Sequence, residues 1–155
     1  MKHLIEWDGI EIRVDGERVN ALAQSFRLAP IERMELTFSN GLLRVEGSVR
    51  KFISVPFTVD IREIRADGLV IRVPLATVQA FGGLPIPHFL LGLARDRLPK
   101  DLVAFEPPAT FVISLDRFLP SFLEADIEKI WIIEGGLAVT LGRGGADPPV
   151  PETAI

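Results

Sequence analysis

The sequence of 155 residues contains no cysteine and only two histidines, His3 and His88. The absence of cysteine excludes disulfide bonds, zinc-thiolate sites and thiol catalysis. The two histidines lie far apart in the chain, and neither has a second histidine at metal-ligand spacing. We therefore expect no metal site and no cofactor, and we interpret His88 as a helix-start residue that hydrogen-bonds to backbone or solvent.

An excess of charge of one sign is also lacking. The 17 basic and 21 acidic residues give a net charge of −4 at pH 7. A nucleic-acid-binding domain needs a basic patch that attracts phosphates. Arginines such as Arg13, Arg44 and Arg72 instead lie among acidic residues along the predicted strands. We expect cross-strand ion pairs from them, and no nucleic-acid partner.

The local motifs of common catalytic sites are missing as well. No serine lies in a Gly-x-Ser-x-Gly motif, which forms the nucleophile turn of α/β-hydrolases. The glycine-rich residues 142–145 are not followed by the Lys-Ser or Lys-Thr pair of a phosphate-binding loop. Candidate carboxylate pairs occupy outward strand positions or turns, where we expect them to be solvated. They are drawn from Asp60, Glu63 and Asp67 or from Glu124, Asp126 and Glu128. The sequence therefore predicts a protein that is not an enzyme.

Apolar residues, by contrast, are abundant. They account for 48% of the chain and charged residues for 25%, a combination that fits neither a disordered chain nor a membrane-embedded bundle. A chain of this length is typical of one domain. It can bury about 70% of the surface that its unfolded state exposes, which is enough for a core. We predict a single domain over residues 1–141 and a flexible Gly/Pro-rich tail over residues 142–155.

Strand patterns dominate the predicted domain. The clearest strand places Val55, Phe57, Val59 and Ile61 on one face and polar residues on the other. A turn followed by alternating apolar residues also recurs along the chain, and such turns favour glycine because they need positive φ. We predict hairpins at three of four such turns, which are Asp8-Gly9, Asn40-Gly41, Asp67-Gly68 and Gly135-Gly136.

Three predicted strands carry two isoleucines, or an isoleucine and a methionine, three residues apart. A spacing of three does not keep both side chains on one face of a flat strand, so each pair predicts a β-bulge and a bent strand. The pairs are Ile31 with Met34, Ile61 with Ile64, and Ile127 with Ile130.

Helices are predicted between the strands. The first covers residues 17–28, with Val19, Leu22 and Phe26 on one stripe and Asp15 near its start. The others cover residues 74–82, residues 87–98 and, as a short segment that Ser114 can cap, residues 115–123. These elements predict an α+β fold, in which a strongly curved antiparallel sheet of about six to eight strands packs its concave face on short apolar helices.

Residues 73–94 form an uncharged stretch long enough to span a bilayer if His88 is neutral. Three prolines and the pair Gly82-Gly83 would break a spanning helix there, so we expect two short helices joined by a bend. The N-terminus reaches acidic residues before any apolar run of signal-peptide length. Together these features predict a cytoplasmic location.

The apolar side chains of the predicted helices exceed what one side of a small curved sheet needs. A groove or tube for a lipid or other hydrophobic small molecule would cover them. We predict that the ligand contacts Phe81, Leu84, Phe89, Leu90, Leu93, Phe118 and Phe122, and that His88 or Arg95 meets a polar headgroup. Two alternatives stay open, a structural module that uses the same surface for homodimerisation or partner docking, and peripheral membrane contact by residues 84–93.

Two stretches also carry a family resemblance, residues 61–73 (IREIRADGLVIRV) and residues 127–139 (IEKIWIIEGGLAV). Their hairpins, with apolar helices between them, resemble the tubular lipid-binding (TULIP) superfamily, and in particular its small bacterial, LmeA-like branch. The resemblance covers most of residues 31–141. It implies a highly curved sheet wrapped around a long helix, a channel for phospholipid-like chains and no catalytic residues.

Overall fold

A computed structural model describes residues 2–25, 31–80, 102–106 and 109–149. Within these ranges the chain forms one α-helix, α1 (Gly16–Ser25), one 3-10 turn (Asp116–Phe118) and fourteen strands. The strands are β1 Ile5–Trp7, β2 Ile10–Asp15, β3 Ile31–Ser39, β4 Leu42–Lys51, β5 Ile53–Ile61, β6 Arg65–Asp67, β7 Val70–Pro74, β8 Thr77–Ala80, β9 Val103–Glu106, β10 Thr110–Ser114, β11 Leu123–Glu124, β12 Ile127–Ile133, β13 Gly136–Leu141 and β14 Gly144–Ala146.

All pairs among the described strands are antiparallel, which confirms the predicted antiparallel character of the fold. The described strands form four sheets of three or four strands, where the sequence predicts one sheet of six to eight. Their orders are β3-β4-β5-β8, β6-β7-β10-β9, β12-β13-β2 and β1-β14-β11. A bridge between Gly68 and Ile127 connects the second sheet to the third.

Three of the predicted turns close hairpins. Asn40-Gly41 joins β3 to β4, Gly68-Leu69 joins β6 to β7, and Glu134-Gly135 joins β12 to β13. Gly41 and Gly135 have φ values of +77° and +81°, which residues with a side chain rarely adopt. The Asp8-Gly9 turn joins β1 and β2, which belong to different sheets. The local turn pattern thus predicted the hairpins of three sheets.

Two of the three β-bulges that the apolar spacings predicted are present. The pairing register shifts between Ile31 and Arg33 in β3 and between Ile127 and Lys129 in β12, so one extra residue corrects the phase of each strand. At the third site the chain leaves the strand instead, because β5 ends at Ile61 and β6 begins at Arg65.

The helix predictions need correction. Residues 74–82 were predicted as a helix, but Thr77–Ala80 forms β8 at the edge of β5. Val78 lies opposite Val59 there, and the β-branched residues Thr77 and Val78 suit this pairing better than a helix. The predicted helix over residues 87–98 lies outside the described residues.

Only part of the predicted segment 115–123 is helical. The 3-10 turn is three residues long, and Leu115, with no side-chain cap, precedes it. Ser114 does not cap the turn, because it pairs with Val70 as the last residue of β10. β11 follows at Leu123.

Helix α1 confirms the first helix prediction over its described part. The backbone N–H of Glu17 donates to Asp15 Oδ1 at 3.3 Å, and the N–H of Leu36 donates to Asn20 Oδ1 at 2.8 Å, which fastens the helix to β3. Val19 packs against the core. Leu22, predicted on the same stripe, is 60% exposed, and Phe26 lies outside the described residues.

The core lies where α1 and strands of two sheets meet. Its buried side chains are Phe38, Leu43, Val59, Ile61 and Ile132. Backbone hydrogen bonds cross the same junction, since Gly41 N–H donates to Ile132 O at 3.1 Å and Gly135 N–H donates to Phe38 O at 3.1 Å. The β3–β4 and β12–β13 hairpins are therefore joined by both packing and backbone bonds.

One carboxylate departs from the predicted solvated positions. Asp60 is only 7% exposed, and it accepts two hydrogen bonds from Arg44, at 2.8 Å from Nε and 3.2 Å from Nη2. Hydrogen bonds from the Arg44 guanidinium lower the pKa of Asp60 below its ordinary value, although burial opposes this. Arg44 and Asp60 lie directly opposite each other on β4 and β5, so this is one of the predicted cross-strand ion pairs.

The start of the predicted tail takes part in the fold. Gly144–Ala146 forms β14, which pairs with β1 on one side and β11 on the other. The glycines of this strand also allow other residues to approach its backbone closely. No helix within the described ranges is long and apolar enough to cross a membrane.

Candidate functional site

The predicted ligand-binding set is described only in part. Phe118, the last residue of the 3-10 turn, is 63% exposed, and Phe122, just before β11, is 38% exposed. Phe81, Leu84, His88, Phe89, Leu90, Leu93 and Arg95 lie outside the described residues. The described part of the predicted site is therefore a pair of exposed aromatic side chains in the connection between β10 and β11.

Backbone hydrogen bonds hold this connection in place. Leu115 N–H donates to Leu69 O at 2.9 Å at its start, and Phe122 O accepts from Asp147 N–H at 2.8 Å at its end. Between them, Leu123 N–H donates to Pro120 O at 3.0 Å. The two phenylalanines thus project from a segment that is fixed to β14 and to the β6–β7 turn, and we name Phe118 and Phe122 the aromatic pair.

A second candidate site, which no sequence pattern indicates, is a polar pocket of about 560 Å³. Residues of β1, β11 and β14 and of the segments beside them form its walls. The lining residues are Lys2, His3, Glu6, Trp7, Asp8, Glu124, Arg143 and Gly144. Both signs of charge are present, so the pocket does not resemble the apolar groove predicted for a lipid.

The glycines of β14 let two rings approach the backbone at this pocket. A Cβ atom at Gly144 would lie 2.6 Å from Trp7 Nε1, and one at Gly145 would lie 2.4 Å from His3 Cδ2. Any larger residue would displace these rings. The buried Nε1 atom of Trp7 has no hydrogen-bond partner among the described residues.

His3 connects the N-terminal segment to two distant parts of the chain. Its Nδ1 lies 2.7 Å from Asp147 Oδ2, and its Nε2 lies 2.7 Å from Glu124 Oε2. Leu4 N–H also donates to Asp147 Oδ1 at 2.7 Å, and Glu6 accepts from the backbone N–H groups of Lys2 and His3. We name His3, Glu124 and Asp147 the histidine latch.

The histidine latch favours a protonated imidazole. Ionised carboxylates only accept hydrogen bonds, so both ring nitrogens can donate at once only in the charged form. The hydrogen bond to Asp147 raises the pKa of His3 most strongly; burial opposes the rise and the hydrogen bond to Glu124 adds to it. The hydrogen bonds from His3 in turn lower the pKa values of Glu124 and Asp147.

The histidine latch suits a structural role for His3 better than a catalytic one. Each His3 nitrogen faces a carboxylate, so neither is free to take a proton from a substrate or to bind a metal ion. Among the described residues, no group of three or more His, Asp and Glu side chains could hold a metal ion. No local sequence pattern indicates the histidine latch, because His3 lies more than 120 residues from Glu124 and from Asp147.

No protein-family model, no curated protein and no solved structure matches this chain. The resemblance to tubular lipid-binding proteins therefore stays a prediction.

The histidine latch is expected to loosen as the pH rises. A group whose pKa is raised on folding stabilises the folded state fully below its unfolded pKa of 6.5, and this contribution is lost as the pH rises through the folded pKa. We expect the hydrogen-exchange protection of the Leu4 amide to fall over that range in the native protein. In His3→Gln it should be low and almost independent of pH.

His88→Gln serves as the control, because it removes the other histidine of the chain and keeps His3, Glu124 and Asp147. It should retain the pH dependence of the native protein. Equal pH profiles for the native protein and His3→Gln would contradict the role assigned to His3.

Proposed function

We propose that this protein binds a lipid or another hydrophobic small molecule, without a chemical step, and that the aromatic pair forms part of the binding surface. The supporting observation is the exposure of the Phe118 and Phe122 side chains, at 63% and 38%. Burying a phenylalanine side chain is worth about 1.5–3 kcal/mol. A hydrophobic ligand that covers both rings would gain a substantial part of this energy.

The fixed backbone around the aromatic pair favours binding further. The hydrogen bonds of Leu115 and Phe122 to distant residues hold the segment before any ligand arrives. A surface that is already ordered loses less conformational entropy on binding than a flexible loop does. The proposal includes the predicted continuation of this surface by residues 81–93, and a strongly curved, TULIP-like sheet that shapes the groove.

Charged side chains next to the aromatic pair suit an amphipathic ligand. Asp116 and Arg117 are exposed and directly precede Phe118. Both signs of charge border the apolar surface, so a zwitterionic or neutral headgroup fits better than a strongly anionic one. This preference also agrees with the net charge of −4 for the chain.

The proposal is tested by ligand uptake. Native mass spectrometry after gentle purification should detect a bound lipid, and a fluorescent fatty acid should bind to the delipidated protein. Phe118→Ser/Phe122→Ser should weaken this binding by about tenfold or more, since 1.4 kcal/mol corresponds to a factor of ten. The matched control is Phe52→Ser, because Phe52 is a 98% exposed phenylalanine of the β4–β5 turn, which is not part of the predicted site.

The proposal would be overturned if the purified protein carries no bound lipid and the delipidated protein takes up no fluorescent fatty acid. Equal affinity of the double variant and the Phe52→Ser control would remove the aromatic pair from the site. If the aromatic pair docks a partner protein instead, the double variant should change complex formation and leave fatty-acid binding unaltered.

A further inference from the structure

Strand β2 is the outer strand of its sheet. It pairs with β13 on one side, and no described strand pairs with its other side. Both isoleucines of β2 have exposed side chains, Ile10 at 38% and Ile12 at 41%. An exposed edge with apolar side chains is a template for pairing with another strand.

The hydrogen-bond pattern shows which backbone groups of β2 face outward. Gly16 N–H donates to Gly135 O at 2.8 Å, directly after the pair Asp15–Gly136. Because the pattern of an antiparallel pair alternates, Val14, Ile12 and Ile10 bond toward β13. The backbone N–H and C=O groups of Glu11 and Arg13 therefore point to the free edge.

The side chains of β2 alternate in the same way. Ile10, Ile12 and Val14 share one face, and Glu11, Arg13 and Asp15 share the other. The apolar face continues across the sheet, since Ile12 lies opposite Val139, and Val139 lies opposite Ile130. The exposed isoleucines are thus the open end of apolar rows that run over three strands.

The sequence of β2 complements itself around Ile12. In an antiparallel pair of two β2 strands centred on this residue, Ile12 faces the partner's Ile12, and Ile10 faces the partner's Val14. On the opposite face, Glu11 lies across from the partner's Arg13, and this charge pair occurs twice by symmetry. Opposite charges placed directly across an antiparallel pair stabilise it.

Other registers lose this match. A pair centred on Glu11 places two glutamates opposite each other, and a pair centred on Arg13 places two arginines opposite each other, which is unfavourable. In the register centred on Ile12, Glu11 and the partner's Arg13 form the hydrogen-bonded pair. The two Ile12 residues then form a non-hydrogen-bonded pair, in which side chains approach most closely.

We propose that two copies of this chain form a symmetric dimer through β2, in the register centred on Ile12. The two three-stranded sheets then become one six-stranded sheet, and the exposed isoleucines are covered by those of the partner. This interface is built from β2 and contains no residue of the aromatic pair, so the two proposals rest on different residues.

Charge exchange tests the complementarity. In a dimer of Glu11→Arg, arginine faces arginine at both charge pairs. In a dimer of Arg13→Glu, glutamate faces glutamate at both charge pairs. By sedimentation equilibrium, each variant should dimerise at least about tenfold more weakly than the native chain. An equimolar mixture of the two variants should form heterodimers with near-native affinity, because both charge pairs are restored.

Glu35→Arg is the matched control, since it reverses an exposed charge on β3, another outer strand. It should dimerise as the native chain does. Circular dichroism verifies that each variant is folded, and recovery in the mixture cannot arise from unfolded chains. At about 0.1 mM protein, an interface with an affinity of about 10 μM is populated. The proposal would be overturned if the native chain stays at its monomer mass of 17.1 kDa up to this concentration. Dimers that ignore both charge variants would also overturn it.

Cysteine crosslinking tests the register directly, because the native chain has no cysteine. Ile12→Cys should form a disulfide-linked dimer under mild oxidation, since opposite residues of a non-hydrogen-bonded pair have the short separation that a disulfide needs. Glu11→Cys, which would face the partner's Arg13, should crosslink much less. Equal crosslinking of the two variants would contradict the register.

Discussion

Phe38→Ala is expected to lower the free energy of unfolding by about 3–5 kcal/mol, the range typical of buried phenylalanines. The Phe38 side chain is 7% exposed and packs with Leu43, Val59, Ile61 and Ile132. It thereby joins β3, β4 and β5 to β12 of another sheet. Its removal leaves a cavity at the junction of the two sheets, where neighbouring strands cannot close without losing backbone hydrogen bonds.

Urea denaturation, followed by circular dichroism, measures this loss. Phe52→Ala is the matched control, because the same atoms are removed from a side chain that is 98% exposed. The control keeps a residue with a Cβ at φ +71°, so the backbone strain of that position is unchanged. Similar unfolding free energies for the two variants would contradict the assignment of the core.

Gly136→Ala is expected to destabilise the protein by at least about 3 kcal/mol, at the upper end for overpacked sites. A Cβ atom at Gly136 would lie 2.0 Å from Val14 O and 3.1 Å from Gly16 N. Both of these are backbone atoms, so no side-chain rotation can relieve the contact. Strands β2 and β13 would have to separate at the point where α1 begins.

Thermal and urea denaturation of two alanine variants isolate this steric effect. Gly142→Ala is the control, because its Cβ would approach only Glu128, at 3.8 Å, and it should change stability by less than about 0.5 kcal/mol. Gly135→Ala separates backbone strain from overlap, since Gly135 has φ +81° but no heavy atom within 4 Å of the added Cβ. Its expected cost is about 1–2 kcal/mol, the cost of the left-handed conformation for a residue with a Cβ atom. If Gly136→Ala costs no more than Gly135→Ala, the close approach of β2 to β13 is wrong.

Local patterns predicted much of the strand structure. The β5 alternation placed Val55, Val59 and Ile61 on the buried face, and the structure buries all three. The isoleucine spacing at Ile31 and Ile127 located two bulges within a residue or two. These predictions succeeded because they depend on interactions between residues that are close in sequence, and a strand of period two leaves a clear trace of them.

Patterns that depend on distant partners were predicted less well. Thr77–Ala80 lies in an apolar stretch whose spacing suits a helix, but the open edge of β5 supplies hydrogen bonds that a strand can use. Asp60 was predicted to be solvated because it lies on the polar face of β5, yet Arg44 across the strand pair covers and neutralises it. In both cases a neighbouring strand decided between two locally acceptable states.

The candidate sites divide in the same way. The sequence identified Phe118 and Phe122 as apolar residues in excess, and the structure exposes both. It did not indicate the histidine latch or the polar pocket. His3 contacts Glu124 and Asp147 only in the folded protein, where β14 lies between β1 and β11. The self-complementary pattern of β2 can be seen in the sequence, but whether β2 can pair with a second copy depends on its place at the edge of a sheet.

The amino-acid sequence by itself determined the antiparallel strands, the hairpin turns and two bulges, since each of these follows from side-chain periodicity and glycine positions within a few residues. Only the tertiary structure decided how the described strands divide among four sheets, which of their edges no described strand covers and which charges become buried. Those outcomes depend on the joint packing and hydrogen bonding of segments far apart in the chain, and their free energies are not properties of any single segment.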